Sequence, residues 1–128
     1  MPLLLDTHTF LWWVNDSPRL PKKARAAIAT PGETCLVSLA SCWEMAIKIS
    51  LKRLSLPQRL DRFITEQMAA NGFQSLAITL ADTTRAAGLP FHHRDPFDRL
   101  LAAQALEEDL TIVSGDRAFG AYGVKRIW

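Results

Sequence analysis

One alternation constrains this chain more than any other feature. Short, near-continuous apolar runs, "PLLLD", "TCLVS", "FQSLAI" and "LTIVSGD", are separated by longer stretches of helical periodicity. Runs of that kind suit strands covered on both faces, and strands separated by helices pair in parallel. The pattern predicts an α/β fold, a three-layer α/β/α sandwich around a central, mainly parallel sheet. In such sheets ligands bind beyond the carboxyl ends of the strands.

The helical stretches carry their own punctuation. "THTFLWWVND" reads as a short helix stopped by Asn15, Asp16 and Pro18. "PKKARAAIAT" follows, with Pro21 suited to a first helical position. The next helix is expected from about Ala40 to Leu54, burying a stripe of Leu39, Cys42, Trp43, Ala46, Ile47, Ser50 and Leu54. "LPQRLDRFITEQMAANG" is another helix, and "TLADTTRAAG" opens with the spacing of a Thr79–Asp82 capping box. "DPFDRLLAAQALEED" has Asp95 as N-cap and Pro96 at the first position, and "VKRIW" suits a last edge strand.

Composition narrows the class. At 48% hydrophobic and 22% charged residues, the 128-residue chain is expected to form a single globular domain over residues 1–128 rather than a disordered segment. No apolar run approaches the ~20 residues of a membrane span, and the N-terminus lacks a basic region followed by an apolar core. A cytoplasmic protein with no membrane partner is the expectation. Cys35 and Cys42 have no CxxC spacing, so reduced thiols are expected and zinc is not. A net charge of +2 permits a nucleic-acid partner without demanding one.

Four acids fall where the predicted topology would gather them. Asp6 ends the first strand, and Asp116 lies just past "TIVSG". Glu44 and Asp98 are each expected in the first turn of a helix, near the same edge. Each acid alone has a structural reading. Asp6 suits an N-cap, Asp116 a turn, and Glu44 lies three residues after Ser41 and four before Lys48, the spacings of a capping box and a helix-face ion pair. Asp98, however, shares a face with Leu101, Ala102 and Ala105, so it points along a buried stripe. Carboxylates brought together repel, and some take up protons unless a cation is present. Oxygen ligands without Cys or His suit Mg²⁺ or Mn²⁺, which can activate water and stabilise a phosphoryl displacement.

The blocks "LLLDTHTFLWW", "VSLASCWEMAIK", "HRDPFDRLLAAQA" and "IVSGDRAF" resemble, over essentially the whole chain, the PIN-domain family, most closely VapC-type toxins of type II toxin–antitoxin pairs. The resemblance implies a Mg²⁺-dependent endoribonuclease that forms a homodimer and is inhibited by a cognate antitoxin. It places the catalytic site on Asp6, Glu44, Asp98 and Asp116, with metal on Asp6, Asp98 and Asp116. Ser114 matches a supporting hydroxyl residue, and Asp95 belongs to the motif while reading mainly as an N-cap. One departure is Leu51, where many relatives carry glycine.

Beyond the acids, Arg94, Arg99 and Arg117 lie beside them in sequence and are the expected RNA-binding rim. His92 and His93 read as surface loop residues. Trp12, Trp43, Met45 and Ile49 are expected to meet the antitoxin, with Met45 and Ile49 as a second apolar strip of the long helix. The antitoxin should offer an arginine to the acids. Two rival functions stand beside the nuclease. "DTH" after the first strand lacks the DxD arrangement of a metal-dependent phosphatase, and the four acids together weigh against a non-catalytic RNA-binding or interaction module.

Overall fold

The computed structural model describes residues 2–128. The elements are β1 (Leu3–Leu5), α1 (Thr7–Val14), α2 (Lys22–Ala29), β2 (Cys35–Ser38), α3 (Leu39–Ser50), α4 (Leu60–Asn71), β3 (Gln74–Leu76), α5 (Leu80–Ala87), α6 (Pro96–Glu107), β4 (Thr111–Val113), a 3₁₀ helix (Arg117–Tyr122) and β5 (Arg126–Ile127). The five strands form one sheet in the order β3-β2-β1-β4-β5. Every pairing is parallel, with Leu3 opposite both Cys35 and Thr111, and Leu5 opposite both Val37 and Val113. The expected α/β/α sandwich is thus present.

The two-residue period of a strand divides the core. Leu3, Leu5, Val37 and Val113 pack with Phe10, Ala24, Ile28 and Phe63 from α1, α2 and α4. Leu4 and Ile112 pack on the other face with Ala40, Leu101, Ala102, Ala105 and Phe119. The small side chains of α6 let that helix lie close to the sheet, with Ala102 and Ala103 wholly buried. The expected helix ends are also present. Gly72, at φ 67°, closes α4 in the left-handed region that suits glycine. Thr79 and Asp82 form a reciprocal capping box, and Pro96 opens α6 behind an Asp95 N-cap.

Helix α3 departs from expectation. Ser38 caps it, accepting from the Ala40 amide, so the helix starts at Leu39 and stops at Ser50. Ser41 is therefore inside the helix, and Glu44 lies in the second turn rather than in a capping box. The buried face is Ala40, Ser41 and Met45, while Leu39 is 45% and Trp43 62% exposed. Apolar side chains surround most of this helix, so periodicity alone does not select its inner face. The 3₁₀ helix was not expected from the pattern, being too short to show one.

A buried polar network ties the layers together behind the sheet edge. Gln104, fully buried on α6, accepts from the Ser38 hydroxyl and donates to Ala77 O (3.2 Å) and Asp82 Oδ2 (3.3 Å). The other oxygen of the buried Asp82 has no hydrogen-bond partner among the described residues, so the carboxylate depends on the bonds it does make. Gln104→Leu keeps the volume and removes the bonds. It should cost roughly 2–4 kcal/mol, because buried polar groups on Ser38 and Asp82 lose a partner. Urea unfolding with an unchanged slope measures this loss.

Candidate active site

The strand order locates a cleft. The chain leaves central β1 toward β2 and β3 on one side, then returns to β4 and β5 on the other. The direction of winding reverses at the carboxyl ends of β1 and β4, where ligands of open α/β sheets bind. Asp6 directly follows β1 and Asp116 lies three residues past β4. A cleft of about 460 Å³ opens there, and it holds five carboxylates, Asp6, Glu44, Asp95, Asp98 and Asp116. Lys48 is the one lysine or arginine lining it, and His8, Trp12 and Trp128 form an aromatic wall. The four acids singled out in the sequence are therefore brought together.

Each carboxylate is restrained differently. Asp6 caps α1, accepting the Thr9 amide at 2.8 Å, and its own amide reaches Val113 O at 3.4 Å. Its structural reading therefore holds alongside its place in the cleft. Glu44 is held at both oxygens, by Thr7 Oγ1 at 2.6 Å and Lys48 Nζ at 2.9 Å. Asp95 accepts the amides of Phe97 and Asp98, which leaves it a capping residue on the cleft margin. Asp98 is pushed up to about 7, chiefly by burial and then by the charge of Asp95, with Glu44 and Asp116 adding to the effect against a lowering by His93.

Asp116 behaves in the opposite way. Burial pushes it up, but the Ala118 amide, His93 and the charge of Arg126 outweigh burial and hold it below the usual carboxylate range. Oδ1 accepts from Ala118 N at 2.9 Å, and Oδ2 meets His93 Nε2 at 2.6 Å. Ser114, fully buried, accepts the Asp116 amide at 3.0 Å, and its carbonyl accepts from Arg126 at 3.0 Å. Gly115 lies between the two. A Cβ there would come within 2.9 Å of the Trp128 indole, so only glycine lets that ring close over the loop.

His93 overturns the expectation of a surface loop residue. It is 9% exposed, and its ring lies between Asp116 and Tyr122. The loop after α5 is folded inward because Arg99 donates to the carbonyls of Ala86, Leu89 and Pro90 while its guanidinium covers the Phe91 ring at 4.1 Å. Arg99 is thus a loop anchor and does not line the cleft. Arg94 and Arg117 are exposed, Arg94 beside Phe91 in a separate groove, and His92 is exposed as expected.

The residues expected to meet the antitoxin lie in different settings, with Trp43 exposed on α3. Trp12 stacks on His8 (5.7 Å) and leans on Trp128 (5.9 Å) in the cleft wall. Met45 is completely buried, so the expected Met45–Ile49 strip does not exist as a surface, although Ile49 stays half-buried. Met45 belongs to the same core cluster as Phe10 and Phe63. Sequence reasoning missed Thr7, His93, Tyr122 and Arg126. Lys48 was legible from its spacing to Glu44, but nothing in the pattern marks His93 as turned inward.

The carboxylate oxygens of the cleft are the donors that suit a hard divalent cation. Among the described residues, ligand atoms of His93, Asp98 and Asp116 lie within 4.8 Å of one another. Burial, and then the charge of Asp95, push Asp98 up to about 7, the direction expected of a carboxylate crowded by others without enough positive charge. Asp6 lines the same cleft outside this compact trio.

The PIN domain family model matches residues 3–125. Ribonuclease VapC22 of Mycobacterium tuberculosis is 30% identical over 116 residues, spanning 90% of this chain and 87% of that protein. Among solved structures, VapBC2 of Rickettsia felis bound to a promoter DNA fragment contains a chain with TM-score 0.69 and 15% identity, covering 98% of this chain and 97% of that one. A toxin–antitoxin complex from Klebsiella pneumoniae contains another, with TM-score 0.62 and 22% identity over 95% and 94% of the two chains.

The site has a pH signature in stability. The folded state binds the Asp98 proton more tightly than an unfolded chain does, from an ordinary value of 3.8 to about 7. Its contribution is complete below the unfolded value and is lost as pH rises through about 7. Metal-free protein should therefore lose melting temperature between about pH 4 and pH 8 more steeply than Asp98→Asn. The variant should melt several degrees higher at pH 8. Parallel melting curves of the two proteins across that range in EDTA check it.

Proposed function

The chain belongs to the PIN domain family, in its VapC-type branch, and from that premise we propose that it is a Mg²⁺-dependent endoribonuclease, with Mn²⁺ as a substitute, acting as the toxin of a type II toxin–antitoxin pair. One observation carries the reading. Asp6, Glu44, Asp98 and Asp116 converge at the reversal point of a parallel sheet, in a cleft whose acids exceed its cations. Asp6, Asp98 and Asp116 would hold the metal. A divalent ion held there supplies an activated water and charge neutralisation at the scissile phosphate.

The chain's own residues define the rest. On this reading Glu44, held by Thr7 and Lys48, would take the proton of the attacking water. Ser114 and Arg126 secure the loop that carries Asp116. Arg94 and Arg117 are the proposed contacts for RNA phosphates, while Arg99, bonded to three loop carbonyls, would act chiefly as a loop anchor. The aromatic wall of His8, Trp12 and Trp128 suits stacking on a nucleobase.

A cognate antitoxin is part of the proposal, supported by the toxin–antitoxin complexes among the similar structures. Its arginine would meet the acids of the cleft. The exposed large apolar residues of α3 are Leu39 and Trp43, with Leu51 at its C-cap, and these replace Met45 in the proposed protein-contact surface. A homodimer is proposed on a separate surface from the antitoxin.

Purified protein should cleave RNA with Mg²⁺ and lose that activity in EDTA. Asp6→Asn and Asp98→Asn should each lower kcat at least about 100-fold while the protein stays folded. Cleavage that survives EDTA, or that both variants retain, would overturn the metal-nuclease reading. RNA binding without cleavage under any divalent ion would favour the binding module instead.

A further inference from the structure

We propose that His93 is a positioning residue: held by Tyr122 as the Nε2–H tautomer, it donates to Oδ2 of Asp116 and fixes the direction in which that carboxylate faces the cleft. The inference deepens the nuclease reading and rests on it for its effect on turnover. Its structural part stands independently.

Hydrogen-bond accounting selects the tautomer. Tyr122 Oη accepts the backbone N–H of His93 at 2.9 Å and also lies 2.9 Å from His93 Nδ1. An ionised Asp116 carboxylate can only accept, so Nε2 must carry a proton, and in the neutral ring Nδ1 then accepts the phenol's single proton. The ring proton then resides on Nε2, 2.6 Å from Asp116 Oδ2. The opposite tautomer would set the Nε2 lone pair against a carboxylate oxygen with no proton between them. The protonated Nε2 also has no lone pair for a cation, so His93 holds a carboxylate that faces the cleft and is not itself a ligand.

Packing makes the arrangement rigid. The His93 side chain is 8% exposed, against 42% for Asp116. Tyr122 lies nearly parallel to the imidazole (13°, 5.5 Å) and Phe119 lies 4.8 Å away. Asp116 Oδ1 is held by Ala118 N, but one bond alone leaves an exposed carboxylate free to turn about its last torsion. The second bond, to His93, removes that freedom. Each oxygen retains a lone pair for another contact. Both aromatic partners come from the 3₁₀ helix that Asp116 itself caps, so this helix positions the acid and the group that orients it. Partners of this kind, one step removed from a metal, commonly change affinity 10–100-fold.

Three measurements test the proposal. In ¹⁵N-labelled, metal-free protein above neutral pH, His93 should show an unprotonated Nδ1 and a protonated Nε2. Tyr122→Phe should disturb that pattern. Calorimetric Mn²⁺ titration should show about 10–100-fold weaker binding for His93→Leu. His93→Gln, whose amide N–H can take the Nε2 position, should bind within a few-fold of the native protein. On RNA, His93→Leu should lower kcat with little change in KM, and His93→Gln should restore it. If His93→Leu does not fold, Tyr122→Phe and His93→Gln carry the test through their NMR and Mn²⁺ behaviour. An unprotonated Nε2, or a folded His93→Leu with native Mn²⁺ affinity, would overturn the proposal. If no form of the protein cleaves RNA, the nuclease reading fails, while the tautomer and Mn²⁺ affinities still decide the role of His93.

Discussion

Repulsion among carboxylates is the constraint on which this structure turns. Asp6, Glu44, Asp95, Asp98 and Asp116 share one cleft with a single lysine. Such a cluster is unstable as a set of bare anions, and the surrounding chain shows how its charge is distributed. Glu44 is neutralised locally by Lys48 and Thr7. Asp6 and Asp95 direct themselves at the amides that open α1 and α6, where the helix dipole favours negative charge. Asp116 accepts from an amide and an imidazole and feels Arg126. At Asp98 the lowering by His93 does not offset burial and the charge of Asp95, and its raised proton affinity records the deficit.

That distribution sets apart two kinds of acid in one cleft. Three of them serve as helix caps, counting Asp116 on the 3₁₀ helix, so removing their charge also loosens a helix start. Asp98 caps nothing and is the acid whose charge the fold tolerates least. A site that binds a divalent cation has this character, because affinity for the ion is stored as repulsion in its absence. Under the proposed metal-site reading, function and stability oppose one another most directly at Asp98.

The loop between α5 and α6 links the acids to the rest of the protein. Arg99 pins it through three carbonyls, and the pinned loop presents His93 to Asp116. Behind it, Gln104 joins α6 to the ends of β2 and β3 and to α5. The site thus rests on side chains that look ordinary in sequence. Arg99 reads there as a surface cation next to an acid, yet its work is to shape a loop.

Much of the architecture was legible in the sequence because local physics decides it. Short runs between capped helices favour a parallel sheet, and Pro96, Asp95, Thr79 and Gly72 mark helix ends by backbone chemistry. The convergence of Asp6, Glu44, Asp98 and Asp116 followed from the same topology, since parallel strands end at one edge. Which face of α3 turns inward did not follow, because apolar residues surround that helix and the core cluster from other segments, which Met45 joins, decides the face. The inward turn of His93 and the diversion of Arg99 to loop carbonyls were likewise invisible. Both depend on contacts between segments distant in the chain, and a pattern within one segment cannot encode which partner it will meet.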